Sequence, residues 1–239
     1  MKGILYICPT PIGNLEDITL RTLKVLKEVD LIAAEDTRHS IKLLNHYKIK
    51  KPMVSYHEHN KASKGEILIE KLLHGENIAL ITDAGMPGIS DPGEDIIKLA
   101  IEKNIEIIAL PGATASITAL VLSGLPTNKF VFEGFLPPKK KARIKELERL
   151  KSEERTIILY EAPHRILNLL EDIKGVLGDR KISIARELTK IHEEIFRGSV
   201  LEAINKYENE KPRGEFVIIL EGGDIPTEKI NIKEEIISY

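Results

Sequence analysis

The sequence is poor in the residues that staple a small protein or anchor it. Cys8 is the only cysteine among 239 residues, so neither an intrachain disulfide nor a cysteine-based zinc cluster can form, which fits a reducing cytosol. No metal is expected. Tryptophan is absent and aromatics make up 5% of the chain, so extensive base stacking is not advertised. No run approaches the roughly 18 apolar residues of a membrane span. The opening stretch from Ile4 to Cys8 is too short for a signal peptide and reads as a strand. The net charge is only −2, so an anionic partner must be met by a local patch. Two nucleotide signatures are also missing. No GxGxxG follows the first strand and no GxxxxGK(S/T) occurs anywhere, which argues against NAD and against the triphosphate of ATP.

What remains is an ordinary globular balance, 42% hydrophobic and 30% charged, ample for a sizeable core. Short apolar runs at Ile4 to Ile7, Leu31 to Ala34, Met53 to Tyr56, Ile78 to Ile81 and Ile105 to Leu110 alternate with amphipathic segments. Helices are predicted over Leu20 to Val29 with Thr19 as N-cap, Ser40 to Tyr47, Glu66 to Leu73 and Ile96 to Ile101. This βαβα rhythm predicts an open parallel sheet with helices on both faces. Beyond Leu125-Pro126 the character changes. Strands are predicted at Phe130 to Glu133, Thr156 to Tyr160, Ile182 to Ala185, Glu194 to Arg197 and Glu215 to Leu220, the later ones closely spaced as in a mixed or antiparallel sheet. Residues 134–138 read as a stiff linker, with helices from Lys139 to Lys151 and Arg165 to Val176. The expected architecture is α/β with two domains: a parallel-sheet domain over 1–124, a mixed-sheet domain over 125–222, and a polar tail over 223–239.

Ligands of a parallel sheet gather at the carboxyl ends of its strands, and here those ends are rich in glycine, proline and polar residues. They read Pro9-Thr10-Pro11-Ile12-Gly13-Asn14-Leu15, Glu35-Asp36-Thr37-Arg38, the loop from Thr82 to Gly93, and Pro111-Gly112-Ala113-Thr114-Ala115-Ser116. Each alone also admits the lesser reading of an ordinary turn. Four at one edge point to main-chain amides and carbonyls offered to a nucleoside-like ligand. The second half adds Tyr160-Glu161-Ala162-Pro163-His164-Arg165, Ala185-Arg186-Glu187-Leu188-Thr189-Lys190 and Pro212-Arg213-Gly214-Glu215-Phe216. These would face the first set across an interdomain cleft, or form ion pairs that pin the domains together. The basic run from Lys139 to Lys151 is either a solvated helix face or a contact to a phosphate backbone.

Together these segments resemble one family. Ile7 to Asp17, Ala34-Glu35-Asp36-Thr37-Arg38, Asp83 to Gly93, Leu110-Pro111-Gly112-Ala113, Glu133-Gly134-Phe135-Leu136-Pro137, Tyr160 to Arg165 and Ala185 to Lys190 are similar to the signatures of bacterial 16S ribosomal RNA cytidine-2′-O-methyltransferases, a branch of the tetrapyrrole methylase superfamily. The resemblance runs from about Ile4 to Gly222. It implies a two-domain class III methyltransferase fold, S-adenosylmethionine in the interdomain cleft, a homodimer, a cytoplasmic location, and 16S rRNA within the small ribosomal subunit as substrate. By motif, the cofactor would touch Pro9, Asp83, Gly85, Met86, Ile89, Ser90, Thr114, Ala115, Tyr160, Ala185, Gly214 and Glu215. Much of the superfamily has Gly-Asp-Pro where Gly85-Met86-Pro87 stands, which moves any acidic role to Asp83. The branch often carries a further C-terminal helical module, which in a sequence reaching Tyr239 is absent or trimmed.

A ribose 2′-hydroxyl is a weak nucleophile, so a base, or a cation beside the developing alkoxide, would help. Asp36, Arg38, Glu161, His164, Arg186 and Glu187 are candidates, with Glu161 or Glu187 favoured as base and Arg38 or Arg186 as phosphate or alkoxide partner. Two alternatives stand beside this reading: methylation of a tetrapyrrole-like small molecule, and a non-catalytic RNA-binding assembly factor.

Overall fold

In a computed structural model of the chain, describing residues 1–210 and 213–223, two five-stranded sheets follow one another in sequence. The first contains β1 (Ile4–Ile7), β2 (Leu31–Ala34), β3 (Met53–Ser55), β4 (Ile78–Ile81) and β5 (Glu106–Ala109). They are all parallel, in the order β3-β2-β4-β1-β5. The connecting helices are α1 (Leu20–Glu28), α2 (Thr37–His46), α3 (Lys61–Leu73) and α4 (Gly93–Glu102). Strands β2 and β4 are buried at every position, as a parallel sheet covered on both faces requires. Successive side chains go to opposite faces. Leu5, Ile7, Leu31, Ala33, Ile78 and Leu80 pack on Leu68, Leu72, Ile96 and Ala100 of α3 and α4. Ile32, Ala34, Ala79 and Ile81 pack on Val25, Leu26 and Leu44 of α1 and α2. Thr19 caps α1 as the sequence predicts, accepting from the amide of Thr22.

The chain therefore leaves β1 toward one face and β4 toward the other, although β1 and β4 are neighbours. That is the switch point of the sheet, where a crevice opens at the strand ends. A short bridge ties the two loops there. The Thr10 amide donates to the Gly85 carbonyl at 2.9 Å, and the Gly85 amide to the Thr10 carbonyl at 3.0 Å.

Helix α5 (Ala115–Ser123) leads into the second sheet. That sheet contains β6 (Phe130–Phe135), β7 (Thr156–Glu161), β8 (Lys181–Arg186), β9 (Glu194–Ser199) and β10 (Phe216–Leu220), in the order β6-β7-β10-β8-β9. The pair β6–β7 is parallel and the remaining pairs are antiparallel. Helices α6 (Lys140–Arg149), α7 (Ile166–Leu177) and α8 (Val200–Glu208) cover one face through Leu147, Leu169, Leu170, Ile173 and Ala203. The other face takes Ala119 and Leu120 of α5 together with Ile12 and Leu188. So α5, which precedes the sequence-placed boundary, packs on the second sheet.

Several elements differ from the sequence reading. Helices α5 and α8 were not predicted, although α8 begins with a full capping box between Ser199 and Glu202. Strand β6 runs on through the expected linker to Phe135, because Gly134 (φ +62°) absorbs a bulge in its pairing with β7. Helix α2 starts earlier than predicted, at Thr37, since the Asp36 carboxylate caps it by accepting from the Arg38 amide at 2.8 Å. The expected polar tail from residue 224 on, and Pro212, lie outside the described residues.

Cys8, the residue after β1, is fully buried, and burial pushes its thiol up to about 12. A thiol held protonated and covered is a poor nucleophile. In the folded protein at about pH 8, iodoacetamide is expected to leave Cys8 unmodified while the denatured chain labels fully. Rapid labelling of the native protein, read by intact mass, would mean that the end of β1 opens.

Candidate active site

A cavity of about 600 Å³ lies where the switch point of the first sheet meets the second sheet. Its floor is the β4 loop from Thr82 to Asp91, and one side is the start of α5 at Thr114 to Ile117. The second sheet closes it with Phe132 and Phe135 of β6, Tyr160 of β7, Leu188, and Glu215 to Val217 at β10. Tyr160 is packed edge-on by Phe132 and Phe135, with ring centroids 5.1 and 5.5 Å away. The volume is that of a pocket for a nucleoside-sized ligand.

The β4 loop owes its shape to one side chain. Oδ1 of Asp91 accepts from the amides of Gly88 at 2.9 Å and Gly93 at 2.7 Å, and Oδ2 accepts from Gly88 at 2.9 Å and Ile89 at 3.2 Å. Burial raises the Asp91 carboxyl above its ordinary value despite these donors. With the carboxylate as hub, Ser90 is held at φ +64°, and its hydroxyl lies against the bulged Gly134 of the second sheet. Beside this loop the Glu35 carboxylate accepts from the Thr82 hydroxyl at 2.5 Å. Asp83 accepts from the Asp36 amide at 3.2 Å. Burial, with Glu35 close by, raises the Asp83 carboxyl, while the Asp36 amide and His39 oppose the rise.

The lining is acidic: Glu35, Asp83, Asp91 and Glu215 contribute, and among the described residues no Lys or Arg lines it. Such a wall disfavours a polyphosphate and suits a ligand carrying positive charge. Among the described residues no cluster of three metal-ligating side chains occurs.

Nine of the residues expected at the cofactor line this cavity: Asp83, Gly85, Met86, Ile89, Ser90, Thr114, Ala115, Tyr160 and Glu215. Pro9 does not; it sits beneath Gly112, where an added Cβ would come within 2.6 Å of its ring. Ala185 is buried in the packing beneath α5. Gly214 (φ +91°) lets the backbone pass so close to the Glu187 carboxylate that any side chain would collide with it. Glu35, Thr82, Asp91, Phe132 and Phe135 line the cavity without having been named individually as cofactor contacts.

The four residues favoured for chemistry stand outside this lining. Strand alternation explains two of them. On β7, Ile158 and Tyr160 face α5 and the cavity, whereas Ile157 and Leu159 face α6 to α8, and Glu161 shares their parity. Glu161 is 2% exposed; its Oε1 accepts from the Ala162 amide at 2.8 Å and lies 3.0 Å from Arg165. Burial raises its pKa, and Oε2 has no hydrogen-bond partner among the described residues. Arg186 likewise follows Ile182 and Ile184 to the far face, where Glu194 holds it at 2.8 Å. Glu187 takes Lys190 at 2.9 Å and the Glu215 amide at 3.0 Å; burial works to raise it, but these partners prevail and lower it. Arg38 is exposed and folds back on Asp36 at 2.8 Å. His164 lies in a 3-10 turn, Pro163–Arg165, beyond the cavity lining.

The basic run divides too. Arg143 is 5% exposed and joins Asp172, also 5% exposed, through Nε at 2.8 Å and Nη2 at 2.6 Å. Lys141, Lys145 and Lys151 remain exposed.

Comparison with known proteins fits this geometry. Residues 4–204 match the family described as Tetrapyrrole (Corrin/Porphyrin) Methylases. Ribosomal RNA small subunit methyltransferase I of Synechocystis is 52% identical over 234 residues, covering 98% of this chain and 84% of the relative. The chain belongs to the tetrapyrrole methylases, in the ribosomal RNA small subunit methyltransferase I branch. The enzyme of that name from Thermotoga maritima is 49% identical over 220 residues, covering 92% of this tetrapyrrole methylase and 99% of the relative. Uroporphyrin-III-C-methyltransferase from Thermus thermophilus shares the fold at 17% identity, with a TM-score of 0.63 over 93% of each chain. No described helix of this family member is long and apolar enough to cross a membrane.

Proposed function

We propose that the chain transfers the methyl group of S-adenosylmethionine to the 2′-hydroxyl of a cytidine in the 16S RNA of the small ribosomal subunit. The observation that carries this reading is the 600 Å³ cavity at the switch point, built by a chain about half identical to ribosomal RNA small subunit methyltransferases I. When bound, the cofactor supplies a methyl group already activated on a sulfonium, so the protein's work is to position it, keep water out and manage one proton. Gly85, Met86, Ile89, Thr114, Ala115 and Tyr160 would hold it, with Glu35, Asp83, Asp91 and Glu215 answering its positive charge. A rigid loop fixed by Asp91 lowers the cost of ordering the site. The enzyme acts in the cytoplasm as a homodimer in this reading, as the family resemblance implies.

The expected result is transfer of labelled methyl from S-adenosylmethionine to small subunits that lack the modification. A tetrapyrrole acceptor is expected to receive none. Absence of transfer to subunit or naked RNA, with cofactor binding intact by calorimetry, would overturn the reading. Absence of cofactor binding would favour an RNA-binding assembly factor instead.

A further inference from the structure

A second cavity, of about 490 Å³, abuts the first. The two share Ile12, Thr82, Asp83, Ala84 and Glu215 as a common wall. The second adds basic side chains that the first lacks. It is lined by His39, Ser40 and Lys42 in the first turns of α2 and by Lys190 from the connection between β8 and β9. Lys190 is committed to Glu187 and Glu215 at 2.9 and 3.1 Å, but His39 and Lys42 are exposed and form no ion pair among the described residues. The Lys42 ammonium and the His39 imidazole N–H, within the first turns of a helix whose dipole favours negative charge, make a wall able to meet an anion. An independent observation points the same way. Ser40, 2% exposed, lines this cavity with a buried hydroxyl that has no hydrogen-bond partner among the described residues. A buried polar group left unpaired is costly and calls for a partner.

Resting on the methyl-transfer reading, we infer that this second cavity receives the acceptor ribonucleotide, with its phosphate against His39 and Lys42 and its ribose at Asp83, which accepts the 2′-hydroxyl proton. Asp83 belongs to both cavities, the position demanded of a group that meets a hydroxyl beside a methyl donor. The groups facing it are Glu35 at the end of β2, and Asp36 and His39 on α2. Burial and Glu35 make its carboxylate more basic than usual, which suits proton acceptance. The balance is complete: the hydroxyl oxygen forms the new O–C bond, the electron pair of the broken C–S bond stays with the leaving thioether, and the proton passes to Asp83 and then to solvent. A nucleotide held in such a cavity is out of its stack, so a single-stranded or flipped target is required.

The test uses the full-length chain and unmodified small subunits, with three readouts: subunit affinity by filter binding, S-adenosylmethionine affinity by calorimetry, and single-turnover methyl transfer. Lys42→Glu and His39→Glu are expected to weaken subunit binding about tenfold and leave cofactor affinity within about twofold. Asp83→Asn is expected to keep subunit affinity and lose about 10²- to 10⁴-fold in transfer rate. Wild-type subunit affinity in both charge-reversal variants, or wild-type transfer by Asp83→Asn, would overturn the inference. No transfer by the unsubstituted protein would instead overturn the methyl-transfer reading on which it rests.

Discussion

Asp91→Ala is expected to weaken S-adenosylmethionine binding about 100-fold and also to lower the melting temperature by several degrees. The Asp91 carboxylate gathers the amides of Gly88, Ile89 and Gly93, and hydrogen bonds to a charged acceptor contribute about 1.5–3 kcal/mol each. Their loss frees a loop whose Ser90 sits in the left-handed region, a conformation that persists only while its surroundings impose it. Ordering that loop then falls on the ligand. A cost of roughly 2.7 kcal/mol is a hundredfold in affinity. The same lost bonds cost folding stability, but the core under the loop, Leu80, Ile96 and Ala100, remains packed, so the protein still folds. Calorimetric titration beside a thermal melt checks both halves; unchanged affinity would show that the loop keeps its shape without Asp91.

The second large effect concerns stability. Arg143→Ala is expected to destabilise the protein by about 3–5 kcal/mol, a fall of roughly 10 °C in melting temperature for a chain of this size. Removing Arg143 strands the Asp172 carboxylate, 5% exposed, with only Lys140 at 3.6 Å, and frees the Pro138 carbonyl that Arg143 also caps at 3.1 Å. The double variant Arg143→Met with Asp172→Leu should recover most of the loss, because it removes both charges and keeps the volume. Equal melting temperatures for the single variant and the parent would mean that the pair is solvated rather than buried.

That pair also shows where the sequence was legible and where it was not. The central strands β2 and β4 stand as uninterrupted apolar runs because both their faces are covered, and the turns at the carboxyl edge of the sheet carry the glycines and prolines of a ligand edge. Nine of the positions that the family resemblance assigns to a cofactor line the cavity. Glu161 and Arg186 show the limit. Both stand at strand ends near the crevice, yet the period of two along β7 and β8 sends them to the face of α6 to α8. That parity becomes visible only once Tyr160 and Ala185 are known to face α5. Arg143 looked like part of a solvated basic run, because nothing within α6 announces a buried acid on α7. Helix α5 was missed for a related reason. It is apolar nearly all round, meeting the second sheet on one side and the cavity on another, so it lacks the one-sided pattern that marks a surface helix.

The central claim, that this chain methylates a ribose hydroxyl of small-subunit RNA, is tested most directly by identifying the product. Unmodified small subunits treated with the protein and S-adenosylmethionine would be digested to nucleosides and analysed by mass spectrometry. The account predicts 2′-O-methylcytidine, with the added mass on the ribose fragment, and its disappearance when the protein is omitted. A methyl group found on a base, or no methylated nucleoside from subunits while the cofactor binds normally, would contradict it.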